Sequence, residues 1–123
     1  MNAKELQIGD WVRLVGNELH SYQIEEIRKE HDIYRYFLKD TKVFATEDEI
    51  EPIPLTPEIL EKNGFVYSDI PFWQSWQQFG LSIYGTTENY HINCGMNVSM
   101  NVSNVHQLQH ALKLCGIEKK IEL

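Results

Sequence analysis

The sequence lacks the features of a membrane or secreted protein. It has no apolar run close to the roughly 20 residues that a helix needs to span a bilayer, and its first ten residues, MNAKELQIGD, contain no apolar signal segment. With two cysteines in 123 residues, a disulfide framework is not expected, and Cys94 and Cys115 are predicted to be reduced, packed thiols. These absences predict a cytoplasmic protein that does not associate with membranes.

Basic residues are also scarce. The 11 Lys and Arg face 18 Asp and Glu, which gives a formal net charge of −7 and argues against a nucleic-acid-binding surface. The acidity is concentrated in the first half, notably at residues 47–51. A solubilising face is the simpler interpretation of this run. The alternative is a nucleic-acid mimic or a dock for a basic partner.

Motifs of catalysis are missing as well. There is no glycine-rich phosphate loop, and no cofactor is expected. The carboxylates at 25–26 and 47–51 lie in polar runs, whereas a catalytic pair needs one carboxyl in an apolar pocket. Cys94 beside His91 or His106 has no visible oxyanion-hole motif and no third orienting residue. No catalytic residue is assigned, and the chain is not expected to be an enzyme.

What is present in the first half is a series of short β-forming runs with turn residues between them. A bulge is expected near Glu25 and Glu26, and alternation places Ile33, Arg35 and Phe37 on one face of their strand. A single helical turn is expected at 47–49. Five short strands favour a small barrel, because closure hides strand edges; the runs are Trp11–Val15, 20–28, Ile33–Leu38, Thr41–Ala45 and Ile50–Pro54.

Residues 6–54 resemble the SH3-like barrels. The resemblance rests on an opening strand with the letters GDWV, a long bent second strand, and one helical turn before the fifth strand. Such barrels bind peptides, nucleic acids or neighbouring domains, so the resemblance implies a fold and leaves the function open.

The stretch LTPEILEKNGF predicts a short helix with both ends marked. Thr56 fits the N-cap and Pro57 the first helical position. Gly64 fits a left-handed residue after the helix, and Phe65 can fold back on Leu60. The helix is expected to mark the seam between two halves of the chain.

The second half predicts an antiparallel meander followed by a helix and a strand. Meander strands are expected at 65–67, 79–83, 90–94 and 98–102, with a loop at 68–71 and a hairpin turn at 85–89. A second helix is capped by Asn104 and Gln107 and ends at Gly116. Ile117–Leu123 is predicted to be a final strand.

The predicted fold is therefore α+β and mainly β. It has an SH3-like barrel at 1–54 and a small α+β unit at 55–123. The second unit is expected to pack on the first, so that the two can count as one domain.

Three segments together are similar to a family of small uncharacterised proteins of gut Bacteroidales and their phages and mobile elements. Those proteins have an ELRIGN-V opening, an I-PLTEEIL-KNGF centre and a VHQLQ helix; the matching residues here are Glu5–Val12, Ile53–Phe65 and Val105–Gln109. The family has no assigned activity. The resemblance therefore implies a bacterial or phage setting and no catalytic residue.

Four residues come close to a zinc-finger spacing. His91, Cys94, His106 and His110 give H-x2-C-x11-H-x3-H, near a Cys2His2 pattern with His in place of the first Cys. On a strand, His91 and Cys94 would point to opposite faces, which is wrong for two ligands of one ion. No metal is therefore predicted, and the four residues stay a weak alternative.

The densest aromatic stretch is the best sequence candidate for a contact surface. Trp73, Trp76, Phe79 and Tyr84, with His106, are predicted to bind a ligand or partner, because tryptophan offers a large area and a hydrogen-bond donor. The alternative is that these aromatic residues are buried at the junction of the two halves.

The leading functional interpretation is a non-enzymatic binding or adaptor module that contacts a protein partner or a second copy of itself. The first alternative is a phage-encoded anti-defence inhibitor or a sponge that captures a nucleotide-like ligand. A small hydrolase is the weaker alternative.

Overall fold

The computed structural model describes residues 5–70, 73–78, 81–86, 89–94 and 99–123, with the backbone alone at 67–70, 73–78, 81, 85–86, 89, 94 and 99. The chain divides into two units, Met1–Ile53 and Pro54–Leu123. In the described part of the chain, no helix is both long and apolar enough to cross a membrane.

The first unit is an antiparallel sheet. Its five strands follow the order β4-β3-β2-β1-β5, which confirms the prediction of a mainly β first half. A one-turn 3-10 helix separates the last two strands, as predicted. The elements are β1 Trp11–Leu14, β2 Asn17–Glu30, β3 Ile33–Leu38, β4 Phe44–Thr46, the 3-10 turn Glu47–Glu49 and β5 Ile50–Pro52.

The predicted barrel closure is not confirmed. The sheet begins at β4 and ends at β5, and among the described residues no pairing joins these two strands. Each edge strand has only three residues. Either edge therefore offers only a short ladder of backbone hydrogen bonds to another strand. The sheet is therefore an open one.

The long strand β2 is bulged where the sequence predicts it. Ile24 lies opposite Leu38 and Glu26 lies opposite Phe37, so Glu25 is the extra residue. The bulge shifts the alternation by one residue, and Ile24 and Ile27 both contact the core as a result. The core of this unit consists of Leu6, Val12, Ile24, Tyr36, Leu38, Ala45 and Ile50.

The hairpin between β2 and β3 has a two-residue turn. Glu30 lies opposite Ile33, and His31 and Asp32 between them have φ values of 50° and 66°. Two successive positive φ values are the geometry of the tight turn that matches strand twist. The turn therefore fixes the register of the hairpin.

The second unit is a five-stranded antiparallel meander with two helices. The strands follow the order β10-β9-β8-β7-β6, one or two more than predicted. Ser68–Ile70, predicted as loop, belongs to β6, and β7 lies in the aromatic stretch for which no strand is predicted. The elements are α1 Pro57–Lys62, β6 Val66–Ile70, β7 Trp73–Gln78, β8 Leu81–Thr86, β9 Asn89–Cys94, β10 Ser99–Val102 and α2 Val105–Leu114.

Helix α1 has the predicted ends. The Thr56 hydroxyl accepts a hydrogen bond from the Ile59 amide at 3.3 Å. Gly64 has φ +88°, and the Phe65 amide donates to the Leu60 carbonyl at 3.0 Å. The left-handed glycine and the returning bond are the expected closure of the helix.

Helix α2 repeats this arrangement. The Gln107 side chain accepts from the Asn104 amide at 3.2 Å, so the predicted capping box is confirmed. Gly116 has φ +73°, and the Ile117 amide donates to the Leu112 carbonyl at 2.9 Å.

The predicted last strand, Ile117–Leu123, is wrong. These residues adopt no regular secondary structure, and the Asn63 side chain binds the end of the chain instead. Asn63 Nδ2 donates to the carbonyls of Ile59 and Glu122, both at 2.8 Å, and Oδ1 accepts from the Glu122 amide at 2.7 Å. Ile121 beside it is buried. A side chain thus supplies the hydrogen bonds that a partner strand would supply.

Replacing Asn63 by Ala should therefore destabilise the second unit. Its side chain is 2 % exposed, and the change removes three hydrogen bonds and leaves buried backbone groups without partners. We expect a loss of about 2 to 4 kcal/mol in the free energy of unfolding, measured by urea denaturation. The matched control is Lys62→Ala on the exposed side of the same helix. An Asn63→Ala midpoint equal to that of the control would contradict the role of Asn63.

The unfolding free energy should also fall in alkali. Burial, with a contribution from the Glu47 carboxylate, raises the pKa of Tyr36 to about 12 from 10.0. The folded state therefore binds the Tyr36 hydroxyl proton more tightly than the unfolded state does. The resulting contribution to the free energy of unfolding is complete below pH 10 and is lost as the pH rises towards 12. The full loss is about 3 kcal/mol.

Denaturation curves at stepped pH, with Tyr36→Phe as the comparison, measure this loss. Burial also raises the pKa of Tyr90 in the other unit, so the difference between the two proteins isolates Tyr36. A phenylalanine variant with the same decline above pH 10 would disprove the assignment.

Candidate partner-binding surface

The aromatic stretch predicted as a contact surface forms part of the second sheet. Trp73 lies opposite Ile70, and Trp76 lies between Tyr67 and Ile83. The side chains of Trp73 and Trp76, and the whole of Phe79, lie outside what the structure describes. Their predicted role in binding therefore stays a prediction.

The other two predicted contact residues lie in different settings. Tyr84 is half-buried on β8, opposite His91 of the next strand. His106 is 1 % exposed on α2, with its ring centroid 5.7 Å from that of His110. The structure therefore buries His106, and its predicted role in binding stays a prediction.

The three histidines of the zinc alternative do not form a metal site. The exposed His91 has its Nδ1 3.0 Å from Oδ1 of Asn101, whereas His106 is buried. Among the described residues, no three His, Cys, Asp or Glu side chains are grouped so as to hold a metal ion. The side chain of Cys94 lies outside that part of the chain.

The prediction of a reduced, packed thiol is wrong for Cys115. This residue is disulfide-bonded, and the described part of the chain has no free cysteine. Cys115 is the C-cap of α2, and its amide donates to the Ala111 carbonyl at 3.0 Å. The prediction rested on the expected compartment and did not consider whether the fold brings a second thiol within bonding distance of Cys115.

Unfolded, unreduced protein should accordingly contain no titratable thiol. Ellman titration in guanidinium is the measurement, and the reduced sample, with its two cysteines, is the control. Reduction should cost about 2 to 4 kcal/mol in the free energy of unfolding, because it removes a cross-link from the unfolded chain. Two reactive thiols before reduction would contradict the disulfide.

The first sheet has an apolar patch on the side that faces away from its core. We call this side the outer face; it consists of Arg28, Ile33, Arg35, Phe37 and Phe44. The rings of Phe37 and Phe44 lie on paired strands with centroids 4.8 Å apart and planes at 45°. Ile33 is 50 % and Phe44 is 41 % exposed. The patch is thus an aromatic pair with an exposed aliphatic side chain four residues along the same strand.

Paired charges flank these rings. Arg28 Nε is 2.9 Å from Glu26 Oε1, and its Cζ lies 5.3 Å from the Phe44 ring centroid, within the range of a cation–π contact. Arg35 lies directly opposite Arg28, and its Nε is 3.9 Å from Glu30 Oε2. Each guanidinium therefore has a carboxylate beside it, which offsets the repulsion between the two arginines.

A cavity of about 290 Å³ with acidic walls adjoins the outer face and shares Ile33 with it. Lys29 contributes a cation nearby, with Nζ 4.0 Å from Asp32 Oδ1 and 5.7 Å from the Tyr34 ring centroid. The residues that line the cavity are Asp32, Ile33, Tyr34, Thr46, Glu47 and Asp48.

The acidic 3-10 turn is held by its own cap. Glu49 Oε1 accepts hydrogen bonds from the Thr46 amide and hydroxyl, both at 3.0 Å, and these bonds hold the pKa of Glu49 below its usual value. Glu49 thus stabilises the turn, while Glu47 and Asp48 line the cavity.

A second cavity of about 240 Å³ lies elsewhere in the first unit. It combines two aromatic side chains with one cation and several polar groups, a mixture that suits a small ligand. Its lining residues are Trp11, Ser21, Tyr22, Gln23, Lys39, Asp40 and Thr41.

Part of the outer face follows from the sequence. Alternation along β3 places Ile33, Arg35 and Phe37 together, and the burial of Tyr36 and Leu38 on the opposite face confirms it. The contribution of Phe44 does not follow, because it depends on the pairing of β4 with β3. The acidic run at 47–51 is the sequence signal for the carboxylates of the cavity, although a solubilising face was its simpler interpretation.

Comparison of the chain with family models, with curated proteins and with solved structures found no match.

Proposed function

We propose that this chain is a non-enzymatic binding module that contacts a protein partner through the outer face of its first sheet. The observation that carries the proposal is the accessible pair of Phe37 and Phe44, on the same face of the sheet as the exposed Ile33. Aromatic residues and arginine are enriched at the centres of protein interfaces, where they lose water on contact. The outer face has both.

The rigidity of this surface also supports binding. The aromatic pair and both arginines lie on strands whose register is set by the β2–β3 turn. A surface held by a sheet loses little conformational entropy when a partner docks. Self-association is disfavoured, because two copies each carry a net charge of −7 and repel each other.

The finer parts of the proposal concern fold and origin. The strand order of the first unit suits an SH3-like barrel, and the resemblance to Bacteroidales and phage proteins suits a bacterial or phage setting. A phage-encoded inhibitor would then be a special case in which the partner is a protein of the host. Capture of a nucleotide-like ligand is the competing case; the mixed lining of the second cavity favours it.

The test is a selection from a random peptide library on the immobilised chain. Selected peptides should lose at least about tenfold in affinity on Phe44→Ser or Ile33→Ser, because interface anchors of this kind contribute 1 kcal/mol or more. The matched control is Leu19→Ser, which removes an apolar side chain that is 92 % exposed on the same sheet. Melting temperatures verify that all variants fold.

Two results would contradict the proposal. One is a selection that enriches no binder; the other is a set of binders that tolerate Phe44→Ser and Ile33→Ser as well as they tolerate Leu19→Ser. A rise in melting temperature with a nucleotide panel, lost on Trp11→Ala, would favour ligand capture in the second cavity instead.

A further inference from the structure

We infer that the partner segment is basic, with a Lys or Arg next to the apolar side chain that contacts the outer face. The inference rests on the proposed function and specifies the chemistry of the partner. Its starting point is that the outer face and the acidic cavity are adjoining parts of one surface, because Ile33 belongs to both.

The charges of the outer face itself do not select a partner by sign. Arg28 is paired with Glu26, and Arg35 lies near Glu30, so each cation has an anion beside it. These exposed pairs contribute little net attraction to either sign of charge. The sign preference must then come from the groups around the patch.

The groups at the Ile33 end of the patch are predominantly acidic. Asp32, Glu47 and Asp48 all line the cavity. The cations described near them are Lys29, 4.0 Å from Asp32, and Arg35, which lies opposite Thr46. The net charge of the whole chain, −7, is also negative. A cationic side chain of a partner would therefore be attracted at long range and would lie among carboxylates when bound.

The shape of the cavity suits one long side chain. Its volume is about 290 Å³, and Ile33 lines it along with three acidic residues. Lysine and arginine side chains have an apolar stem and a charged head, so the stem would contact Ile33 while the head lies near Glu47 and Asp48. A residue further along an extended partner would then reach Phe44, because Phe37, which pairs with Phe44, is four residues from Ile33 on β3.

Two other occupants fit less well. An acidic segment could contact Arg28 and Arg35, but its carboxylates would face those of Asp32, Glu47 and Asp48. A second copy of this chain would bring another acidic surface against the first. Charge complementarity therefore favours a basic protein segment.

The experiment is a titration of the isotope-labelled full chain with two synthetic peptides that differ only in charge, acetyl-Lys-Leu-Lys-Val-Lys-amide and acetyl-Glu-Leu-Glu-Val-Glu-amide. The basic peptide should shift the amide resonances of Ile33, Phe44 and Asp48. Its affinity should fall severalfold between about 20 and 200 mM salt, because exposed charges are screened. The acidic peptide should leave these resonances in place.

Variants separate charge from apolar contact. Glu47→Lys with Asp48→Lys should weaken binding of the basic peptide at least about tenfold, and Glu47→Gln with Asp48→Asn should weaken it less. The matched control is Glu18→Lys with Glu61→Lys, which changes the net charge equally at two exposed positions that do not line the cavity. Phe44→Ser should weaken binding of the peptide without changing its salt dependence.

The outcomes distinguish the inference from the proposed function. Preference for the acidic peptide, or equal weakening by the control pair, would overturn the basic partner and leave the outer face as a binding surface. Library binders that require Phe44 but carry no excess of Lys and Arg would also overturn the basic partner and leave the outer face as a binding surface. Shifts confined to residues outside the outer face and its cavity would overturn both.

Discussion

The register of the β2–β3 hairpin determines both sides of the first sheet. His31 and Asp32 form a two-residue turn with positive φ values, and Glu30 lies opposite Ile33 as a result. A slip of one residue would move the buried Tyr36 to the water side and Phe37 to the core side. The core and the proposed contact surface therefore depend on the same turn, and a change that loosens it would affect stability and binding together.

The proposed contact surface combines elements that are individually weak and depend on their arrangement. An exposed ion pair such as Glu26–Arg28 contributes little to stability, and one exposed phenylalanine would not mark an interface. On the outer face, however, the pairing of β3 with β4 places Phe37 and Phe44 in contact, with the carboxylates of the 3-10 turn nearby. The pairing of the strands determines where the rings lie, and the carboxylates of the 3-10 turn make the nearby charge negative.

The parts of the fold that the sequence predicts best are those decided by neighbouring residues. Thr56 and Gly64 mark the ends of α1 because caps act within one turn of helix. Strand β7 was missed, since its aromatic and polar residues show no simple alternation and only its neighbours β6 and β8 make it a central strand. The disulfide of Cys115 and the position of Phe44 likewise depend on which segments the fold brings together. Three of the five residues of the outer face, those on β3, could therefore be predicted from the sequence.

The hydrogen bonds between Asn63 and Glu122 have a consequence for the order in which the two units can form on the ribosome. The partners are 59 residues apart, so the second unit cannot complete its core until the segment with Ile121 has left the exit tunnel. The first unit ends at Ile53, and sequential folding of units during synthesis is the usual behaviour. The first sheet, with its proposed contact surface, can thus form while the second unit is still being synthesised.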